Sequence, residues 1–242
     1  MRALSTVVDV RAKPDATSER LSQLIFGEEA EILDEAGDFY FIRCSDGVTG
    51  YAKKTLLSDK DEPIYKLSKH YHAHSVNLSF GSYLTEEDAK EFRIPRSYLY
   101  PIKQGCKPED LAPKFIGVPY LWGGTSSFGF DCSGFVQRLF RFCGKELPRN
   151  SDQQMSASED VGGIRDAEKG DLLFFKGHVA IYVGRGKIIH ANGHHGSVSR
   201  DWLFDGSPYS NYLLSILLKV GRFRCGQASL GQARLDGSPK SR

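Results

Sequence analysis

Three residues carry the chemistry that can be read first in this chain: one thiol and two imidazoles. Cys132 follows Asp131, and Phe135, Val136, Leu139, Phe140 and Cys143 then recur at helical spacing until Gly144, a natural stop. Asp131 is a good N-cap, so Cys132 falls in the first helical turn, where unpaired backbone N–H groups and the helix dipole favour negative charge. A thiol attacks as the thiolate, and it needs a nearby base that a third polar group orients. His178 and His190 interrupt two apolar segments joined by Gly184-Arg185-Gly186, the pattern of an antiparallel hairpin whose pairing brings both rings together. Taken singly, a cysteine opening an amphipathic helix and a histidine in an apolar strand are both common core residues. Their surroundings decide.

The elements that must hold these groups follow from the rest of the pattern. A short helix is expected from Pro108, strands over 171–175, 178–183 and 187–191, and a last strand over 213–220. Residues 1–58 alternate in short apolar runs separated by Lys13-Pro14-Asp15, Ala36-Gly37-Asp38 and Ser45-Asp46-Gly47, which predicts a small all-β barrel. Residues 59–105 contain one capped helical turn, Thr85 to Phe92 before Pro95, in an otherwise aromatic, turn-rich stretch. They read as a linker or as a degenerate second barrel. Residues 226–242, rich in Gly, Ser, Gln and basic residues, read as a disordered tail.

The run Pro119-Tyr120-Leu121-Trp122-Gly123-Gly124, then Asp131-Cys132-Ser133-Gly134-Phe135-Val136, Leu147-Pro148-Arg149, Gly170-Asp171-Leu172-Leu173-Phe174-Phe175, His178 to Gly184 and Ile189-His190-Ala191 resembles the NlpC/P60 family of cell-wall peptidases. Residues 1–58 resemble a bacterial SH3-like domain through Val10-Arg11, Gln23-Leu24, Gly27-Glu28 and Gly50-Tyr51. The resemblance implies an α+β fold, with a papain-like peptidase domain over 106–225 behind the barrel. It also implies a triad in which Cys132 is nucleophile, His178 base and His190 the group that orients the base. Tyr120, Asp131 and Ser133 would line the substrate pocket, with Tyr120 and the Cys132 backbone N–H available to an oxyanion.

By the same resemblance the substrate is a peptidoglycan stem peptide, cut between γ-D-glutamate and a diamino acid such as meso-diaminopimelate. The barrel-first order is similar to enzymes that select stems with a free N-terminal L-Ala. The ammonium would be met by Asp131 and by Glu19 or Glu28 with Tyr51 from the barrel, Glu19 and Tyr51 matching better by spacing. An N-acetylmuramoyl-L-alanine amidase is the alternative enzyme reading, and an inert wall-binding module the non-enzymatic one.

The composition narrows the rest. A net charge of +2 on 242 residues, with no basic face, excludes nucleic acid as an expected partner. No apolar run is long enough to span a bilayer, and Met1-Arg2-Ala3-Leu4-Ser5 lacks a secretory core, so a cytoplasmic location is expected; this fits the recycling of released wall fragments that the resemblance implies through free-amine selection, and a signal removed beforehand is compatible with the sequence. Five scattered cysteines without a Cys-x-x-Cys pair argue against a disulfide framework and for a reducing compartment. No cofactor or metal is expected, although His70, His72 and His74 share one face of a strand.

Overall fold

The computed structural model describes residues 1–59, 61–73, 76–102 and 105–223, and the expected tail at 226–242 and Cys225 lie outside them. The chain is α+β, and its N-terminal region is built of strands with a single 3-10 turn at Lys54–Leu56. There β1 (Arg2–Ala3), β2 (Val7–Arg11), β3 (Arg20–Ile25), β4 (Ala30–Ala36), β5 (Phe39–Cys44), β6 (Thr49–Lys53) and β7 (Leu57–Ser58) succeed one another. Five of them form an antiparallel sheet in the order β3-β2-β6-β5-β4, and β1 pairs with β7. The period-two pattern of β2 sends Val8 and Val10 inward, where they meet Leu24, Ile42 and Ala52.

The segment left open between linker and second barrel is folded. It comprises β8 (Tyr65–Leu67), β9 (Tyr71–Ala73), β10 (Val76–Leu78), β11 (Tyr83–Leu84), α1 (Glu86–Glu91) and β12 (Leu99–Pro101). β11-β8-β12 form one sheet and β9-β10 a hairpin, over a core of Phe26, Leu67, Leu78, Leu84 and Ile94. The expected helical turn is α1, closed by a capping box between Thr85 and Asp88.

The remainder holds α2 (Pro108–Leu111), β13 (Thr125–Ser126), β14 (Gly129–Phe130), α3 (Cys132–Phe142), α4 (Ser151–Ala157), β15 (Glu159–Asp160), β16 (Leu172–Phe175), β17 (His178–Gly184), β18 (Lys187–Asn192), β19 (Ser197–Trp202), α5 (Pro208–Ser215) and β20 (Leu217–Arg222). A six-stranded antiparallel sheet runs β15-β20-β16-β17-β18-β19. α3 lies on one face, where Phe135, Val136, Leu139 and Phe140 meet Val179, Ile181 and Ile189. Each such burial contributes about 1.5–3 kcal/mol. α5 covers the other face through Leu213, against Ala180, Tyr182 and Ile188.

Two expectations are corrected here. The apolar run at 213–220 is not one strand: Ser207 caps a helix that Pro208 opens, and the strand begins only at Leu217. The cysteine count also misled. Cys106 and Cys143 form a disulfide across 37 residues, pinning the C-terminus of α3 to the segment before α2, while Cys44 and Cys132 are free and buried. An even framework of closely spaced cysteines is not needed when a single pair meets through tertiary packing.

Every residue of α3 is buried, including its polar face. That face lies under the other segments rather than in water. Glu28, three residues past β3 in the chain, receives Arg138 at 2.6 Å and Arg141 at 2.8 Å. Asp46 receives the Gln137 amide at 2.9 Å. The buried Lys66 ammonium of β8 donates to the Phe142 carbonyl, satisfying one of the orphan acceptors at the end of the helix. No helix among the described residues is long and apolar enough to cross a membrane.

Candidate active site

Asp131 begins the site. Its backbone is extended (φ −87°, ψ 175°) and its Oδ1 accepts the Gly134 N–H at 2.6 Å, so α3 starts where the residue types predicted. The same carboxylate accepts Arg149 on both oxygens, Ser133 Oγ at 3.3 Å and the Gly123 N–H at 3.0 Å. Five donors saturate the roughly four lone-pair directions of a carboxylate. Asp131 therefore has no acceptor capacity left for a substrate ammonium, and it holds the nucleophile's turn instead. Ser133, whose Oγ also accepts Arg149 at 3.0 Å, is turned into the same buried network.

The approach to the helix is tight. Gly123 sits at φ +72°, and a Cβ there would meet the Arg20 carbonyl at 2.3 Å; one on Gly134 would meet the Gly124 carbonyl at 2.2 Å. The loop over 119–124 thus threads between barrel and helix at positions only glycine fits.

Cys132 is 9% exposed, and the backbone N–H groups of Val179 and Ser133 lie near enough to its thiol to favour the charged form. The first of these sets it at the start of β17, beside His178. Burial, reinforced by the Asp131 charge, pushes the thiol up to about 11 against those N–H groups. Burial and the neighbouring His190 push His178 down to about 3. Desolvation thus outweighs the helix start at the thiol, and burial disfavours the charged form of both groups.

The hairpin forms as expected. β17 and β18 pair antiparallel, Ile181 facing Ile189, which puts His178 and His190 on one face of the sheet. His178 Nε2 lies 2.7 Å from His190 Nδ1. Tyr120 lies close enough to feel the Cys132 and Asp131 charges, and burial followed by those charges raises its phenol to about 12, so it remains a donor at neutral pH.

Of the barrel residues, Glu19 accepts the Trp122 indole N–H at 3.2 Å, and Arg20 donates to the Trp122 carbonyl at 3.3 Å. Trp122 itself is 65% exposed, on the nucleophile's loop. Tyr51 stands on β6 opposite Arg11 and against Phe41, ring centroids 5.0 Å apart. Glu28 is removed from the pocket altogether, since its carboxylate is spent on Arg138 and Arg141.

Sequence reasoning missed β19 and with it Asp201, which accepts His190 Nε2 at 2.8 Å. The signal was the alternation of Ser197-Val198-Ser199-Arg200-Asp201 after a glycine turn. It also passed over Arg149 as a partner of Asp131. His194 and His195 lie in the β18–β19 turn. His195 bonds Asp201 at 2.9 Å and His194 stacks on Tyr209 at 3.9 Å. Of the histidines near 70, His70 meets Ser127 Oγ at 3.1 Å, His72 lies in β9 and His74 lies outside the described residues.

The NlpC/P60 family model matches residues 117–217, and the bacterial SH3 domain model residues 6–58. A γ-D-glutamyl-L-lysine dipeptidyl-peptidase of Bacillus subtilis is 31% identical over 213 residues, covering 70% of this chain and 71% of the relative. A protein of the same description from Bacillus cereus is 45% identical over 85 residues, 32% of this chain but only 25% of the relative. Among solved structures, that of an NlpC/P60 family protein from Bacillus cereus superposes with a TM-score of 0.73 at 19% identity, over 91% of this chain and 98% of the other, a likeness of fold.

Proposed function

Because the chain belongs to the NlpC/P60 family and is a cysteine peptidase, we propose that it hydrolyses peptidoglycan stem peptides at the γ-D-glutamyl–diamino acid bond. The observation that carries this reading is the line from the Cys132 turn through His178 to His190, with 2.7 Å between the two imidazoles. In the reaction, Cys132 Sγ attacks the γ-carbonyl carbon of D-glutamate while His178 takes the thiol proton. The Tyr120 hydroxyl and the Cys132 backbone N–H receive the oxyanion. His178 then gives its proton to the leaving amine of the diamino acid. Water, deprotonated by His178, releases the acyl group from sulfur. His190 orients His178 throughout.

The barrel's place at the rim of the nucleophile's loop, through Glu19 and Trp122, supports selection of short stems with a free N-terminal L-Ala. Since Asp131 is saturated, Glu19 is the carboxylate offered to the ammonium, with Tyr51 its partner on the barrel. The diamino acid is read as meso-diaminopimelate, although the relatives' names specify L-lysine. The Cys106–Cys143 disulfide supports action in an oxidising compartment, in place of the cytoplasmic location expected from composition.

The test compares L-Ala-γ-D-Glu-meso-diaminopimelate, its L-Lys counterpart, an N-acetylated stem and intact sacculi, with products identified by mass. Release of L-Ala-γ-D-Glu from the free-amine tripeptides is expected. Equal or faster attack on sacculi or on the N-acetylated stem refutes the free-amine selection, and release of the sugar from a muramyl peptide supports the amidase.

A further inference from the structure

We infer that Asp201 is a positioning residue that fixes the tautomers of both active-site imidazoles and so leaves His178 with its lone pair at Nδ1. The inference rests on the reading of Cys132, His178 and His190 as nucleophile, base and orienting group. Asp201 lies on β19, where the register sets Ser199 opposite His190 and Asp201 two residues further along the same face. Its Oδ2 accepts His190 Nε2 at 2.8 Å and Ser199 Oγ at 2.7 Å, and its Oδ1 accepts His195 Nε2 at 2.9 Å. The Ser199 hydroxyl is itself held by the Asn192 amide at 2.8 Å. Three donors overcome the cost of its partial burial and keep the Asp201 carboxyl well below the usual carboxylate range.

An ionised carboxylate only accepts, so His190 must carry its proton on Nε2. A neutral His190 then presents a lone pair at Nδ1, and the 2.7 Å contact is a hydrogen bond only if His178 Nε2–H donates. The remaining His178 nitrogen, Nδ1, is therefore the unprotonated one, on the residue adjoining Val179, whose backbone N–H acts on the Cys132 thiol. Both tautomers follow from one charge. Without it, His190 can hold its proton on Nδ1, and His178 would then carry N–H at the nitrogen that should be the base. When His178 takes the thiol proton, Asp201 also stabilises the resulting cation through His190. The other titratable groups facing this pair are Cys132 on α3, His194 and His195 in the β18–β19 turn, and Tyr209 on α5, whose ring centroid is 6.3 Å from that of His190. None of these supplies a second anion at neutral pH.

The experiment has two arms. In the unaltered protein, nitrogen-15 NMR of the imidazoles should place the neutral-form proton of both His178 and His190 on Nε2; a proton on Nδ1 of either ring overturns the inference. In Asp201→Asn, checked for retained fold by circular dichroism, alkylation of Cys132 by iodoacetamide and kcat on the stem tripeptide should both fall. The expected drop is about tenfold to a hundredfold, a part of the roughly 10²–10⁴ that a positioned base contributes. KM should hold, and the acid limb of the alkylation profile should move to lower pH. A profile that superimposes on the parent's overturns the inference. Alkylation and NMR need no substrate, so they decide the role of Asp201 even if the stem peptide proves not to be the substrate.

Discussion

Replacing Glu28 by glutamine removes the charge that joins the barrel to the nucleophile's helix. Glu28 is 4% exposed and accepts Arg138 at 2.6 and 3.2 Å, Arg141 at 2.8 Å and the Ile25 N–H at 2.9 Å. Arg138 and Arg141 are themselves 2% and 7% exposed; the variant leaves the buried Arg138 guanidinium without its carboxylate partner, while Arg141 keeps Glu146 at 2.8 Å. Breaking a buried pair from one side costs about 3–5 kcal/mol. The pH dependence gives an independent figure. Burial alone would raise the Glu28 carboxyl, but Arg138 and Arg141 outweigh it and hold the group at about 2, against an ordinary value of 4.5. At 1.36 kcal/mol per pKa unit the difference is about 3 kcal/mol. Because the folded value is depressed, this stabilisation is fully present above pH 4.5 and is lost as the pH falls through 2. The assay is thermal unfolding followed by circular dichroism across this range. At pH 7 the variant should melt roughly 6–20 °C lower, given about 2–4 °C per kcal/mol for a chain of this size. The gap should narrow as the parent loses its own advantage in acid. A variant that melts within 2 °C of the parent at pH 7, or a gap independent of pH, refutes the reasoning.

Three further outcomes follow from the same structure. Cys132→Ala should abolish stem-peptide hydrolysis while the melting temperature changes little, as measured by product mass and calorimetry. Replacing both Cys106 and Cys143 by serine should destabilise the chain by about 2–4 kcal/mol, the range for a loop of this length, and urea unfolding with and without reductant reads it directly. Gly123→Ala should lower kcat/KM and the melting temperature together, because its φ of +72° and the 2.3 Å approach to the Arg20 carbonyl leave a methyl group no room.

The place of Cys132 at a helix start and of both histidines on one sheet face was legible because each is fixed by its immediate neighbours. Asp131 caps a helix whose periodicity is local, and Gly184-Arg185-Gly186 forces a hairpin whose side-chain parity puts His178 and His190 on one face. The barrel was legible for the same reason, through alternation and turn residues. What failed was everything decided by a partner far along the chain. Nothing near Asp131 says that Arg149 will saturate it, and nothing near Cys106 names Cys143. The run at 213–220 is apolar whether it forms a helix or a strand, and only the Ser207 cap separates the two.

From its sequence alone, the helix start at Cys132, the pairing of the strands of His178 and His190 and the barrel's strands were determined, because helix caps, strand parity and turns act over a few residues. The tertiary structure decided the desolvation of the Cys132 thiol, the carboxylate behind the second histidine and the burial of the helix's polar face under the barrel. Desolvation and charge pairing depend on what lies a few ångströms away in space, and Asp201 and His190, or Glu28 and Arg138, become neighbours only once the chain has folded.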